Sequence, residues 1–222
     1  MMKYQGMLFD LDGTLIDSAQ DMYMALNLTL TEVAFPVVSY AQVTTWVGNG
    51  IEMLVKRALS GDMAVNPELP SSLVVDAVVR FKNHYQQLAG DYVVLYQHVE
   101  TGLAATAHLP KAIVTNKDRV FTEQLLEKLN LTSHFKVLVC GDDGEKKPSP
   151  SPLLKACEAL NISPEKAVMI GDSKSDIIAA KSAEIDVLAL TYGYNQGFDL
   201  KELEPEYLCD GFLDIIPIIN QQ

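Results

Sequence analysis

Gly6-Met7-Leu8-Phe9-Asp10-Leu11-Asp12-Gly13-Thr14-Leu15 begins as a short apolar run and ends in two aspartates spaced i, i+2, followed by a glycine. A run this short and apolar is consistent with a buried strand. The aspartates then fall at the strand exit, where both carboxylates can face one ligand. Gly13 adds a place where the backbone can approach that ligand closely.

Further runs of the same kind recur toward the C-terminus: Lys111 to Thr115, Lys136 to Cys140, Ala167 to Ile170 and Val187 to Leu190. Between them lie Val120 to Leu129, Leu153 to Leu160 and Ile177 to Ala183, with apolar residues three and four apart, the period of a helix buried on one face. Strand and helix in alternation mean βαβ units. With Gly6 to Phe9 they predict about five parallel strands in a doubly wound α/β sheet covered by helices.

From Asp17 to Leu88 the strand runs stop. Met22, Ala25, Leu26, Thr29 and Leu30, and again Ile51, Leu54, Val55, Ala58 and Leu59, carry helical spacing, whereas Gly61 to Ser71 is loop-like. The expected organisation is an α/β core made of residues 1–16 and 92–222, with an α-helical cap inserted at 17–91.

The 222 residues carry a net charge of −12, which argues against nucleic-acid phosphates as a partner because such binding draws on excess Lys and Arg. The same charge repels small anions, so a phosphorylated ligand needs a divalent cation and a few local lysines to reverse the field. Cys140, Cys157 and Cys209 are odd in number and widely spaced, which fits neither a disulfide framework nor a CxxC zinc site. No membrane span or signal-peptide core is expected at the start, and a cytoplasmic protein is.

In an open parallel sheet, ligands sit beyond the carboxyl ends of the strands. The polar residues at those ends are Asp10 and Asp12; Thr115, Asn116 and Lys117; Asp142 and Asp143 with Lys147 and Pro148; and Asp172 with Asp176. Carboxylates for a metal beside a hydroxyl and an ammonium for a phosphate suit phosphoryl transfer. Phosphate monoesters demand up to roughly 10²¹-fold acceleration, more than a lone carboxylate supplies, so metal, amides and lysine must share the work. A carboxylate nucleophile divides the displacement into two steps.

Asp10-Leu11-Asp12-Gly13-Thr14-Leu15, Thr115-Asn116, Lys147-Pro148 and Gly171-Asp172-Ser173-Lys174-Ser175-Asp176 resemble, in order, the four motifs of the haloacid dehalogenase superfamily. Over nearly its whole length the chain is similar to the phosphoglycolate phosphatases of that superfamily, most visibly at Trp46-Val47-Gly48-Asn49-Gly50, Gly141-Asp142-Asp143 and Leu190-Thr191-Tyr192-Gly193-Tyr194-Asn195. The resemblance implies Asp10 as nucleophile and Asp12 as general acid and base. Thr115 and Lys147 would hold and neutralise the phosphoryl group, with Leu11, Gly13, Thr14 and Asn116 lining it. It also implies Mg²⁺ bound by the Asp10 carboxylate, the Asp12 backbone carbonyl and Asp172, with Asp176 in the outer shell.

The implied reaction is hydrolysis of a small phosphorylated metabolite, 2-phosphoglycolate first, by a monomer or homodimer that binds neither nucleic acid nor membrane. Asp12 is the superfamily's mark of phosphoryl transfer and argues against dehalogenation. Other readings are a phosphatase for a sugar phosphate, nucleotide or pyrophosphate, a sugar phosphomutase, and a non-catalytic phosphate-binding regulator. Gly48, Asn49 and Gly50 read equally as a turn before a helix and as a loop that tests the substrate. Where relatives commonly carry Pro-Gly in the returning linker, this chain has Tyr96-Gln97-His98-Val99.

Overall fold

The computed structural model describes residues 3–220. The chain opens with β1 (Gly6–Phe9) and a short β2 (Ile16–Asp17). It then runs through α1 (Ala19–Glu32), α2 (Tyr40–Trp46), α3 (Ile51–Ser60) and α4 (Ser71–Leu88). After β3 (Val94–Leu95), which returns antiparallel to β2, strands and helices alternate. They are α5 (Val99–Ala105), β4 (Lys111–Val114), α6 (Arg119–Lys128), β5 (Val137–Val139), α7 (Ser151–Leu160), β6 (Ala167–Gly171), α8 (Lys174–Ser182), β7 (Asp186–Leu190), β8 (Tyr207–Cys209) and α9 (Ile215–Ile219).

The main sheet has the order β5-β4-β1-β6-β7-β8 and is parallel throughout. The expected five strands are present, and a sixth, β8, extends the edge. β5 and β8 are each three residues long and half-exposed at two of them, but β5 lies in the run Val137-Leu138-Val139-Cys140, whereas β8 is Tyr207-Leu208-Cys209 between Glu206 and Asp210, too short an apolar run to stand out. β1, β4 and β6 are buried at every position, as parallel strands covered on both faces require. Alternate residues face opposite ways: Leu8, Ala112, Val114, Met169 and Val187 pack with α7 and α8, while Phe9, Ile113, Ile170 and Leu188 join the larger core with α5, α6 and α9.

Helices α1 to α4 pack on one another, and the apolar spacing of the sequence is their buried side. Ser39 and Gln42 form a capping box that starts α2, and Gly61, at φ 67°, ends α3 in the left-handed conformation. The long α4 leans on the sheet layer through Tyr85, whose ring stacks on Phe81 and meets the edge of Phe121 in α6. His98 takes φ 68°, a backbone that glycine adopts freely, just before α5. The three cysteines are buried free thiols, and among the described residues no helix is long and apolar enough to cross a membrane.

The two ends of the helical segment are joined by Asp21, a fully buried carboxylate that accepts the backbone N–H groups of Gly90 (2.6 Å) and Tyr92 (2.9 Å). Asp21→Ala removes the acceptor of both N–H groups, which are partly open to water, and should destabilise the protein by about 1–2 kcal/mol in urea unfolding. A change below about 0.5 kcal/mol would show that this junction contributes nothing.

Candidate active site

β4, β1 and β6 are neighbours, and the chain order reverses at β1, so the loops after these strands converge at a switch point. Each delivers a motif: Asp10 after β1, Thr115 and Asn116 after β4, Asp172 after β6. The loop after β5 adds Lys147 and the first turn of α8 adds Asp176.

Carboxylate oxygens of Asp10, Asp172 and Asp176 lie within 4.8 Å of one another, all buried. Lys147 Nζ donates to Asp176 Oδ1 (2.6 Å) and to the Val114 carbonyl (2.6 Å), and lies 3.0 Å from Asp10 Oδ1. Asp176 also serves as the N3 residue of the α8 capping box, its Oδ2 accepting from the Ser173 backbone N–H (3.0 Å) and hydroxyl (2.6 Å). Asp176 therefore caps α8 and belongs to the carboxylate cluster at once. Asp172 accepts the Thr14 hydroxyl (2.5 Å) and the Tyr194 backbone N–H (2.6 Å). Gly13, at φ 88°, is required here: a Cβ would lie 2.1 Å from Asp172 Oδ2.

Burial pushes the Asp10 carboxyl up to about 6, against the pull of Lys147. Burial, and then the charges of Asp10 and Asp176, raise Asp172 well above the ordinary carboxylate range. Burial opposes the charge of Lys147, but Asp10 and Asp176 hold it above the usual lysine value. Three buried carboxylates around one ammonium leave an excess of negative charge on oxygen donors alone, which fits a hard divalent cation.

Asp12 lies outside this cluster but lines the same cavity as Asp10. Both its oxygens are held by Lys117 Nζ (3.0 and 2.8 Å), and Ser18 donates its hydroxyl to Oδ1. The remaining predicted residues are brought to the same place. Leu11 N–H donates to Asp10 Oδ1 (2.8 Å). The Asn116 side chain is spent within the protein, donating to the carbonyls of Gly48 (3.0 Å) and Lys147 (2.9 Å) and accepting from Lys147 N–H (2.9 Å). Any phosphate contact from Asn116 therefore falls to its backbone.

Gly50 precedes α3 as its N-cap, which is the turn before a helix, and Gly48 and Gly50 line the cavity beside Asp10 and Thr115. Asn49 Nδ2 donates to Ser175 Oγ (3.2 Å), and Gln196 Nε2 donates to the Val47 carbonyl (2.6 Å) and to Asn49 Oδ1 (2.9 Å). Arg57 is buried and donates to the Trp46 carbonyl (2.7 Å), so it braces the end of α2 before this loop. Beneath the loop lies a cavity of about 40 Å³ with a polar floor of Asp10, Asp12, Thr115, Asn116 and Lys117. Its roof includes Met22, Val47, Ile51 and Leu54.

Lys117, Ser18, Ser175, Tyr194 and Gln196 were not among the predicted site residues. Tyr194 N–H holds Asp172, while its hydroxyl donates to Asp17 (2.5 Å) and accepts the N–H groups of Ser18 and Ala19 (both 3.0 Å). The signals present in sequence were the position of Lys117 just after Thr115 and the run from Tyr192 to Asn195. Neither discloses a partner.

The family described as haloacid dehalogenase-like hydrolase matches residues 7–190. The chain is 43% identical over 213 residues to a phosphoglycolate phosphatase of Colwellia psychrerythraea, covering 95% of this chain and 94% of that one. It is 36% identical over 233 residues to the phosphoglycolate phosphatase of Salmonella typhimurium, covering 97% and 92%. Among solved structures, a predicted phosphoglycolate phosphatase from Haemophilus somnus superposes with a TM-score of 0.90 at 31% identity, covering 98% of this chain and 99% of that one.

Cation binding and protonation compete at Asp10 and Asp172. Adding Mg²⁺ or Mn²⁺ to the protein in EDTA should therefore raise its melting temperature, more above the Asp10 value of about 6 than below it. Asp172→Asn should remove the shift. Equal melting temperatures with and without the cations at every pH would contradict a cation site here.

Proposed function

This chain belongs to the haloacid dehalogenase-like hydrolases, and we propose that it is a Mg²⁺-dependent phosphatase converting 2-phosphoglycolate to glycolate and phosphate through an aspartyl-phosphate on Asp10. The observation that carries this reading is the buried Asp10 carboxylate between Lys147 and the Asp172 and Asp176 pair, opening on a small cavity that Asp12 also lines.

In the first step an Asp10 oxygen attacks phosphorus, and the ester oxygen leaves with a proton from Asp12. In the second, water gives its proton to Asp12 and attacks the acyl phosphate, restoring Asp10. Lys147 neutralises charge on Asp10 and the phosphoryl group, the Thr115 hydroxyl donates to a phosphoryl oxygen, and the backbone N–H of Asn116 adds a donor. Gly13 and Thr14 shape the turn beside it, their own N–H groups being held by the carbonyls of Ile16 (2.9 Å) and Leu11 (3.3 Å). The Asp10 carboxylate, the Asp12 carbonyl and Asp172 would hold Mg²⁺, with Asp176 in the outer shell. When bound, the ion supplies compensation for charge on the phosphoryl oxygens.

The helices within 17–91 act as a cap over the core of 1–16 and 92–222, and the loop Gly48-Asn49-Gly50 excludes water and selects the substrate. A cavity of about 40 Å³ supports a compact ester over a phosphoprotein or nucleic acid. The enzyme works in the cytoplasm, as a monomer or homodimer.

Phosphate release from 2-phosphoglycolate, sugar phosphates and nucleotides tests this reading. Activity should require Mg²⁺ and favour 2-phosphoglycolate. Asp10→Asn should fall to background and Asp12→Asn should lose about 10²- to 10⁴-fold in kcat. Substantial turnover by Asp10→Asn would sink the nucleophile assignment, whereas a preference for another ester would move the substrate and leave the chemistry.

A further inference from the structure

Lys117 is buried, only 6% exposed, and its ammonium group lines the cavity. It binds the Asp12 carboxylate through both oxygens, at 3.0 and 2.8 Å, and lies 4.9 Å from the centre of the Tyr85 ring, which comes from α4. Lys147, the other lysine of the site, is already committed to Asp176, Val114 and Asp10. Across the cavity, Met22, Val47, Ile51 and Leu54 offer no side-chain donor or acceptor. Hydroxyl groups of a sugar phosphate directed there would lose their water partners and gain none.

Lys117 is two residues beyond Thr115, so the two Cα atoms are at most about 7 Å apart. A ligand with its phosphoryl group at Asp10 and Thr115 needs only a short skeleton to bring a second anion to Lys117. A carboxylate is the anion this ammonium already accepts. The two hydrogen bonds to Asp12 can be shared, one kept and one passed to the newcomer, which frees an Asp12 oxygen to carry the proton that water returns to it in the second step and that the ester oxygen takes in the first.

We propose that Lys117 is the specificity-determining residue of the site: its ammonium group receives the carboxylate of a short phosphorylated acid and, by exchanging one oxygen of Asp12 for one of the substrate, couples recognition of that acid to release of Asp12 for catalysis. This rests on the phosphatase reading above and adds to it which group selects the acid. A neutral ester leaves Asp12 fully engaged on Lys117, so the preference appears in kcat as well as in KM.

The test compares 2-phosphoglycolate with ethyl phosphate, in which a methyl group replaces the carboxylate, in the wild type, Lys117→Met and Lys117→Arg. The wild type should favour the acid by about 10- to 100-fold in kcat/KM, the scale of a charged hydrogen bond. Lys117→Met should bring that ratio to within about threefold of unity, and Lys117→Arg should retain part of it. If Lys117→Met does not fold by circular dichroism, Lys117→Gln, uncharged but able to hydrogen-bond Asp12, gives the same readout. An equal loss on both esters would confine Lys117 to supporting Asp12 and overturn the proposal, as would a wild type indifferent to the carboxylate.

If no ester is hydrolysed, the phosphatase reading fails by itself. Calorimetric binding of 2-phosphoglycolate and inorganic phosphate to the wild type and Lys117→Met then decides the residue. Loss of the tighter binding of the acid in the variant supports the assignment, and unchanged affinities refute it.

Discussion

Three carboxylates, Asp10, Asp172 and Asp176, are buried within 4.8 Å of one another, and the ammonium of Lys147 pairs with two of them, Asp10 and Asp176. Taking such charges out of water costs several kcal/mol per ion, and one cation offsets only part of it. The surrounding fold supplies the rest of the compensation as hydrogen bonds. Asp10 takes an N–H from Leu11, Asp172 a hydroxyl from Thr14 and an N–H from Tyr194, and Asp176 both donors of Ser173. These partners come from the exits of β1, β6 and β7, so the parallel sheet and its switch point are the frame that makes the cluster tolerable. The remaining charge imbalance on oxygen donors suits a divalent cation.

The loop after β7 ties this cluster to the helical layer. Tyr194 fixes Asp172 through its backbone and the start of α1 through its hydroxyl, Tyr192 donates to the Thr14 carbonyl (2.7 Å), and Gln196 holds the loop that roofs the cavity. Gly193 is needed among them, because a Cβ there would lie 2.3 Å from Asp172 Oδ2. Asn116 and Ser175 hold the same roof from two other core loops. The roof is therefore attached to the core by side-chain hydrogen bonds, interactions that can be broken and remade singly at modest cost.

Much of this was legible in the chain. A fully buried parallel strand announces itself as an apolar run, and the polar residues just beyond it mark the site, so β1, β4, β6 and β7 with Asp10, Thr115 and Asp172 could be read directly. β8 could not, because its three apolar residues stand between Glu206 and Asp210 and make too short a run, whereas the equally short edge strand β5 continues into Cys140. Partners were harder than positions. Spacing told which loop carries Asn116, but not that its amide is consumed by Gly48 and Lys147. The Lys147-Pro148 motif marked the lysine, but not that it is buried against Asp10 and Asp176. Lys117 and Gln196 meet residues more than 100 positions away, Asp12 and the Val47 to Asn49 loop, and no local pattern encodes that pairing.

The central claim is that Asp10 becomes covalently phosphorylated. Acid quenching of the enzyme during turnover of 2-phosphoglycolate, followed by peptide mass spectrometry, addresses it directly, because acyl phosphates survive acid long enough to be digested and sequenced. The account predicts one added phosphoryl group on the peptide containing Asp10, lost on treatment with hydroxylamine and absent from Asp10→Asn. An enzyme that releases phosphate at full rate with no label on Asp10 at any quench time, or with the label on another residue, would contradict it.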